Sequence, residues 1–453
     1  MREVQDKHIV VIGAARSGVA VACLLHRKGA KVFVSDNSKI DQSVKDRFTK
    51  QGIAFEEGGH TEKAQQGEFA VISPGVPTSA QPVQEYLNAG KKVYSEIEAA
   101  SWFNNSRIVA VTGSNGKTTV TSWLGHTWNK ARKANQVGGN IGYAFSDLVE
   151  DSAPSKDALL EVSSFQLDHI ESFHPQMSMI LNITPDHLDR YEQDLQKYAA
   201  SKFRITENQT NDDWFIYHYD DPIIKQHAED LKKKDSAPQI LAFSNTKEVP
   251  KGAFVRNENI IIKINKEEEI LMPISELSLN GRHNLNNGLA TALAARAAEI
   301  KNDIIRESLR TFEGVEHRLE HVRTVNGVKY INDSKATNIN AVWYALDSFN
   351  TPMVLILGGR DKGNDYTELI DQVKEKVHTV VAIGEARPMI EEQLKSVVPQ
   401  FETAKNMDQA VRLGRKYAKR GEMVLLSPAC SSFDMYENYE HRGNEFKRIV
   451  NGL

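Results

Sequence analysis

The chain has 453 residues, 60 acidic and 56 basic side chains and a formal net charge of −4, with 40% hydrophobic and 26% charged residues. That is more chain than one core organises, and roughly 150 residues per domain predicts about three domains. The composition excludes a disordered or fibrous protein, the charge balance leaves no basic excess for a nucleic-acid backbone, and two distant cysteines, Cys23 and Cys430, offer no disulfide framework. No stretch approaches the ~18 apolar residues of a membrane span, and the apolar run near the start is shorter than a signal-peptide core, so the expected location is the cytoplasm.

The first segment alternates strands and helices. HIVVIG (8–13) precedes a helix over 17–28, followed by AKVFVSD (30–36), FAVISPGVP (69–77) and KKVYSE (91–96), a pattern that predicts a parallel sheet. Gly13-Ala14-Ala15-Arg16-Ser17-Gly18 after the first strand and Asp36 at the end of the second resemble a dinucleotide fingerprint without its middle glycine. Three readings stand: a phosphate-bearing ligand at the helix N-terminus, NAD, or merely a tight turn.

A second unit opens with the strand RIVAVT (107–112) and runs through Gly113-Ser114-Asn115-Gly116-Lys117-Thr118-Thr119 into a helix. Glycines let backbone N–H groups curl around phosphate oxygens, the lysine meets the outer phosphates, and the hydroxyl meets Mg²⁺. The full P-loop pattern has glycine where this chain has Val111, so this is a shortened form, and ATP is its ligand. DALLEVSSFQLD (157–168) ends a strand at Glu161, either a carboxylate within reach of a P-loop metal or a strand-terminal surface glutamate. ILNITPDHLDRY (180–191) clusters Asp186, His187 and Asp189, and Ser201-Lys202-Phe203 follows on a helix begun near Asp194. The lysine run in HAEDLKKKD (227–235) reads as a solvated helix face. Residues 252–274 read as antiparallel hairpins and 279–300 as a long alanine-rich helix.

A third alternating region follows Glu313-Gly314. Its strands in VKYINDSKATN (328–338), PMVLILGGRDKGND (352–365), TVVAIG (379–384) and EMVLLSPACSSFD (422–434) each end in a polar loop, where open α/β sheets bind ligands.

Taken together and in this order, these motifs resemble the Mur ligases, three-domain ATP-dependent amide ligases built around a shortened P-loop domain. The resemblance spans essentially the whole chain. Asn332-Asp333-Ser334-Lys335-Ala336-Thr337-Asn338, Ser427-Pro428-Ala429-Cys430-Ser431-Ser432-Phe433-Asp434, Asn438-Tyr439 and Arg442-Gly443-Asn444-Glu445-Phe446 look like the loops of the D-glutamate-adding members. The Asp-Asn-Pro-Arg signature of the diaminopimelate-adding branch is missing.

The resemblance implies an α/β fold in three domains: a Rossmann-like domain over 1–97 that holds the UDP moiety of the substrate, a central P-loop domain with a mostly parallel sheet over 98–314, and a Rossmann-like domain over 315–453 that binds the amino acid and closes the ATP site. It implies addition of D-glutamate to UDP-N-acetylmuramoyl-L-alanine through an acyl phosphate, in peptidoglycan synthesis. The alternative is another Mur-type or folylpolyglutamate-type ligase. ATP and Mg²⁺ are the implied cofactors, and the implied partners are small molecules, with no nucleic acid or membrane, acting on a monomer.

Residue by residue, the resemblance places Gly13, Ser17 and Gly18 at the diphosphate, and Asp36, Asn37 and the Ser73-Pro74-Gly75 loop at the uracil. Asn140 and Ser163 fall near the reacting carboxylate. Lys117 serves the outer phosphates, Thr118 and Glu161 one Mg²⁺, and His187 with a carbamylated Lys202 a second. Asn284, Asn287, Arg318, Asp333 and Lys335 complete the ATP contacts. Thr337, Lys362, Ser432 and Phe433 are matched to D-glutamate. Cys430 is read as packing, since the reaction needs no covalent enzyme intermediate.

Overall fold

The structure is a computed structural model that describes residues 3–264, 267–279, 281–361 and 363–453. It contains three sheets, and the chain divides into two compact units, 1–276 with 286–311 and 277–285 with 312–453. Lys362 lies outside the described residues. No helix of the described residues is long and apolar enough to cross a membrane.

The first sheet joins β1 (His8–Ile12), β2 (Lys31–Asp36), β3 (Ala54–Glu57), β4 (Phe69–Ile72) and β5 (Val93–Ser95) in the order β3-β2-β1-β4-β5, all parallel. The sequence pattern shows four of these strands and misses β3, a short edge strand with no buried residue. The order reverses between β1 and β4, which opens a crevice at their carboxyl ends, where Gly13 and Ser73 lie.

The second sheet, in the same unit, holds nine strands: β6 (Arg107–Thr112), β7 (Asn135–Gly139), β8 (Asp157–Glu161), β9 (Met177–Ile180), β10 (Trp214–His218), β11 (Gln239–Ser244), β12 (Gly252–Arg256), β13 (Asn259–Lys263) and β14 (Glu269–Pro273). Its order is β14-β13-β12-β11-β10-β9-β6-β8-β7, parallel from β7 to β12 and antiparallel over the last two pairings, as the hairpin reading of 252–274 expects. β6 sits between β8 and β9, so its carboxyl end is again a switch point. The expected long helix runs Arg282–Ala297, shorter than the apolar pattern suggests, and its first turn belongs to the second unit.

The two sheets of the first unit are held together around the helix Glu96–Ser101, which straddles the expected 97/98 boundary. The Glu98 carboxylate is fully buried and accepts hydrogen bonds from the backbone N–H groups of Glu171, Ser172 and Phe173 and from Trp102 Nε1. Tyr94 Oη donates to Glu171 at 2.6 Å, Ser95 N donates to the His169 carbonyl at 2.8 Å, and Arg27 pairs with Glu150.

The second unit carries a six-stranded sheet of β15 (Glu320–Val325), β16 (Val328–Asn332), β17 (Met353–Gly358), β18 (Val377–Ile383), β19 (Gln400–Ala404) and β20 (Met423–Leu426), ordered β15-β16-β20-β17-β18-β19. Only β15 is antiparallel, and the periodicity hides it and β19 because both are partly exposed edge strands. The central strand β17 (MVLILG) is buried at all six positions, the signature of a strand covered on both faces. Each such apolar side chain contributes about 1.5–3 kcal/mol. β16, β20 and β17 are neighbours, so the residues that follow them, 333–338, 427–434 and 359–361, collect at one edge of this sheet.

Candidate active site

β6 ends at Thr112, and the next turn needs left-handed backbone at Gly113 (φ 147°) and Gly116 (φ 86°) before the helix Lys117–Lys130 begins. A Cβ at Gly116 would lie 2.6 Å from Asn287 Oδ1 and would displace that amide, on top of the strain at positive φ. The helix has no side-chain N-cap. Its N-terminal backbone donors and positive dipole end therefore face a ready anion site. Asn182, just past β9, clamps the turn: its Oδ1 accepts from Asn115 N at 2.8 Å, its Nδ2 donates to the Asn115 carbonyl at 3.0 Å, and its own carbonyl accepts from Ser114 N. Asn115 Nδ2 is buried without a hydrogen-bond partner among the described residues, a donor left for a ligand.

Because β8 pairs with β6 on one side and β7 on the other, Glu161 at the end of β8 is carried to the turn. Thr118 Oγ1 donates to Glu161 Oε2 at 2.6 Å, and Asn140 Nδ2 donates to Oε1 at 2.9 Å. Asn140 N also holds the Glu161 carbonyl at 2.9 Å, while Gly139 (φ 93°) comes so close that a Cβ would lie 2.3 Å from that oxygen. Lys117 Nζ donates to the Gly113 and Ser114 carbonyls at 2.8 and 2.7 Å.

Lys202 reaches the same turn from the helix Leu195–Phe203 and donates to the Gly113 carbonyl at 3.0 Å. It is 1% exposed, and its ammonium is held well below the usual lysine range by burial first and by repulsion from Lys117 second, against the pull of Asp186, Asp168 and Glu161. Burial thus shifts the balance toward the uncharged amine, the form able to combine with CO₂. The hard oxygens of Thr118 and Glu161 suit Mg²⁺, so these residues fit the implied metal. His187, half exposed, stands on the next loop in a left-handed conformation (φ 53°), its ring 5.1 Å from that of Phe165 and edge-on to it.

A second group of donors, Glu316, His317 and Glu320, lies within 4.8 Å of one another in the second unit. Lys447 Nζ already occupies that acidic pair, 2.6 Å from each carboxylate. An ammonium, not a metal, balances this cluster.

At the switch point of the first sheet, Asp36 Oδ2 accepts from Ala14 N at 2.6 Å and Oδ1 from Ser38 N at 2.7 Å, so this carboxylate shapes the Gly13–Gly18 turn. Ser17 and Gly18 are buried in the first turn of the helix Arg16–Arg27, Asn37 is exposed beside Asp36, and Gly75 is exposed after β4. Arg16 Nη2 donates to the Asn140 carbonyl at 3.2 Å, which joins the turn to the Glu161 cluster. Ser163 is the N-cap of the short helix Ser164–Leu167 in a capping box with Gln166.

In the second unit Asp333 is fully buried, and burial raises its carboxyl to about 6 against the opposing charge of Arg318, 3.5 Å away. Lys335 Nζ bonds Tyr439 Oη at 2.9 Å. Thr337 is half-buried after β16, Ser432 is buried after β20, and Phe433 is 62% exposed. Cys430 packs against Tyr366, 3.0 Å from Sγ to Oη, with its thiol pushed up to about 11 by burial, so it is no nucleophile at neutral pH. Asn284 and Asn287 lie one turn apart, each 6% exposed, with Asn284 in the second unit and Asn287 in the first.

Sequence reasoning gave no individual role to Asn182, Arg190, Phe165 or the buried Arg442, which donates to the Ser334 and Cys430 carbonyls. Arg190 stands three residues after His187 in a quoted motif, which is the one signal that could have singled it out.

Three family comparisons cover most of the chain: the Mur ligase middle domain over residues 111–295, the Mur ligase glutamate ligase domain over 317–430 and the MurD N-terminal domain over 8–81. The UDP-N-acetylmuramoylalanine–D-glutamate ligase of Salinibacter ruber is 49% identical, with 100% of this chain and 99% of that protein aligned. The protein of the same name from Bacteroides thetaiotaomicron is 44% identical over 99% of this chain and all of its own length. Among solved structures, MurC from Thermotoga maritima matches with TM-score 0.61 at 17% identity, covering 98% of this chain and 99% of that one. MurF from Thermotoga maritima in complex with ADP matches with TM-score 0.60 at 14% identity, covering 99% and 96%.

Proposed function

The chain belongs to the Mur ligase family, and from that premise we propose that it joins D-glutamate to UDP-N-acetylmuramoyl-L-alanine with cleavage of ATP to ADP and phosphate, in peptidoglycan synthesis. The observation that carries the chemistry is the meeting of the Gly113–Thr119 turn with Glu161, Asn140 and Lys202. The reaction is mostly positioning and charge neutralisation. The L-alanyl carboxylate attacks the γ-phosphorus of ATP, an O–P bond forming as the bond to the ADP oxygen breaks. The D-glutamate amine then attacks the acyl carbon, an amide forms, and phosphate and a proton leave.

Two anions must approach, and at close range their repulsion is prohibitive unless it is offset. The helix N-terminus after Gly116 and the Lys117 ammonium supply part of that offset. Thr118, Glu161, His187 and a carbamylated Lys202 are the groups that would hold Mg²⁺, which when bound supplies the remaining positive charge at the phosphates. Carbamylation forms an N–C bond between the neutral Lys202 amine and CO₂ with loss of one proton. Asn140 orients the reacting carboxylate beside Glu161.

The nucleotide-sugar is read at the crevice of the first sheet, with its diphosphate at Gly13, Ser17 and Gly18 and its uracil by Asp36, Asn37 and Gly75. Arg318, Asp333 and Lys335 are read as nucleotide contacts of the second unit, and Thr337, Ser432, Phe433 and Lys362 as contacts of the amino acid. We read the protein as a cytoplasmic monomer, consistent with two buried free thiols.

Phosphate release is measured with ATP, Mg²⁺ and UDP-N-acetylmuramoyl-L-alanine, comparing D-glutamate with L-glutamate, D-alanine, L-lysine and meso-diaminopimelate. Release with D-glutamate alone is expected. Release with a different amino acid would refute the specificity, and none with any would refute the ligase reading.

A further inference from the structure

The loop from Asp186 to Gln193 holds His187, Glu192 and Gln193 in left-handed backbone, with φ of 53°, 55° and 59°. Residues with a Cβ keep such conformations only where their surroundings impose them. Arg190 is central to those surroundings. Its Nη1 donates to the Pro74 carbonyl at 2.9 Å and its Nη2 to the Gly75 carbonyl at 2.7 Å. Its Cζ lies 4.1 Å from the centre of the Phe165 ring. Phe165 in turn meets His187 edge-on at 5.1 Å and lies parallel to Tyr191 at 6.2 Å.

One planar cation therefore fixes two carbonyls of the loop after β4, at the switch point of the first sheet, and stacks on the ring that abuts His187. Docking of the two sheets does not depend on it, because Glu98, Tyr94, Ser95 and Arg27 make that junction through other elements. The Arg190 bonds fall on the loop that the proposed function gives to the nucleotide-sugar. Arginine is suited to this task, since its fork serves two acceptors while its face stacks on an aromatic ring.

We infer that Arg190 is a positioning residue that couples seating of the nucleotide-sugar on the 73–75 loop to the orientation of His187. The inference rests on the function proposed above. Occupancy of the loop stiffens the Pro74 and Gly75 carbonyls, these fix the guanidinium, and the guanidinium holds Phe165 against the imidazole. Arg190 meets the loop carbonyls on one side and the Phe165 ring on the other, so its loss acts on two sites at once.

The test measures two quantities in wild type, Arg190→Ala, Arg190→Lys and Phe165→Leu. One is the calorimetric Kd of UDP-N-acetylmuramoyl-L-alanine without ATP or metal, and the other is the Mg²⁺ concentration for half-maximal turnover. Arg190→Ala is expected to raise both by roughly ten- to a hundredfold, the range seen when residues that orient metal ligands are removed. Arg190→Lys, which keeps the charge and stem, shows the same pair of shifts in smaller measure. Phe165→Leu leaves the loop bonds intact and raises the Mg²⁺ requirement alone. The KM for D-glutamate stays within about twofold in all three, because the loop lies in the first unit.

A folded Arg190→Ala protein, checked by circular dichroism, with the wild-type Kd overturns the role. A raised Kd with an unchanged Mg²⁺ requirement overturns the coupling, as does a Phe165→Leu variant that shifts both quantities equally. Wild-type protein that fails to bind the nucleotide-sugar overturns the functional reading and this inference with it, whereas wild-type binding with an unaffected variant overturns only the inference.

Discussion

Replacing Glu98 by glutamine is expected to loosen the first sheet from the second, and the size of the effect follows from the hydrogen bonds counted at each oxygen. Oε1 accepts from Trp102 Nε1 at 2.8 Å and from Ser172 N at 3.0 Å, with the Ser172 hydroxyl also donating to it. Oε2 accepts from Glu171 N at 3.0 Å and Phe173 N at 2.7 Å and shares Ser172 N, also at 3.0 Å. A glutamine amide offers one acceptor and one NH₂, so either orientation turns a donor toward at least two donors. Two charge-assisted bonds at about 1.5–3 kcal/mol each give a local cost of about 3–6 kcal/mol. By contrast, the exposed Lys92–Glu171 pair next to it is worth at most about 1 kcal/mol.

The assay is amide hydrogen exchange read on peptides spanning 171–173, which reports the junction itself and needs no two-state unfolding of a large chain. A loss of about 3 kcal/mol corresponds to roughly hundredfold faster exchange there, since each 1.4 kcal/mol is tenfold. The KM for the nucleotide-sugar rises with it. Exchange at 171–173 within about threefold of wild type would refute the reasoning, because the Glu98 bonds would then contribute almost nothing.

Glu96 is fully buried, and burial raises its carboxyl from 4.5 to about 7, so the protonated form is the one that folding favours. Its contribution is present in full below the unfolded value and is lost as pH rises through about 7. Glu96→Gln, which does not ionise, should therefore flatten the stability profile between pH 5 and 8 and exceed wild type at pH 8 by up to about 3 kcal/mol in urea unfolding; parallel profiles for the two proteins would contradict this. Lys202→Met removes a buried amine, so the melting temperature should hold or rise while turnover falls by about a hundredfold or more, and an active variant would show that no Lys202 carbamate is needed. Gly139→Ala should cost about 1–3 kcal/mol and lower turnover by displacing Glu161, whereas Gly142→Ala, also at positive φ (56°) but with nothing within 4 Å, should cost only about 1 kcal/mol in thermal melts.

Much of this protein was legible in its sequence because the relevant physics is local. An apolar strand, a glycine turn and a helix N-terminus are specified by consecutive residues, so Gly113–Thr119 and the strands β1, β6, β16, β17 and β20 stand out unaided. Glu161 could also be read, since the last residue of a buried strand faces the edge where ligands collect. The edge strands β3, β15 and β19 escaped because partly exposed strands lose the continuous apolar run that marks their neighbours.

Strand order could not be read, and it is strand order that makes sites. Nothing in the residues themselves places β8 beside β6, or makes β1 and β4 adjacent, so the contact of Thr118 with Glu161 and the crevice that holds Gly13 and Ser73 exist only once the sheets form. Burial is equally non-local: Lys202 looks like any helical lysine until the folded chain removes it from water, and Glu96 and Glu98 look like surface acids. The sequence supplied the chemical groups, and the tertiary structure supplied the distances and the low dielectric that bias a lysine toward its neutral amine, make a glutamate a five-donor anchor and make an arginine a link between two loops.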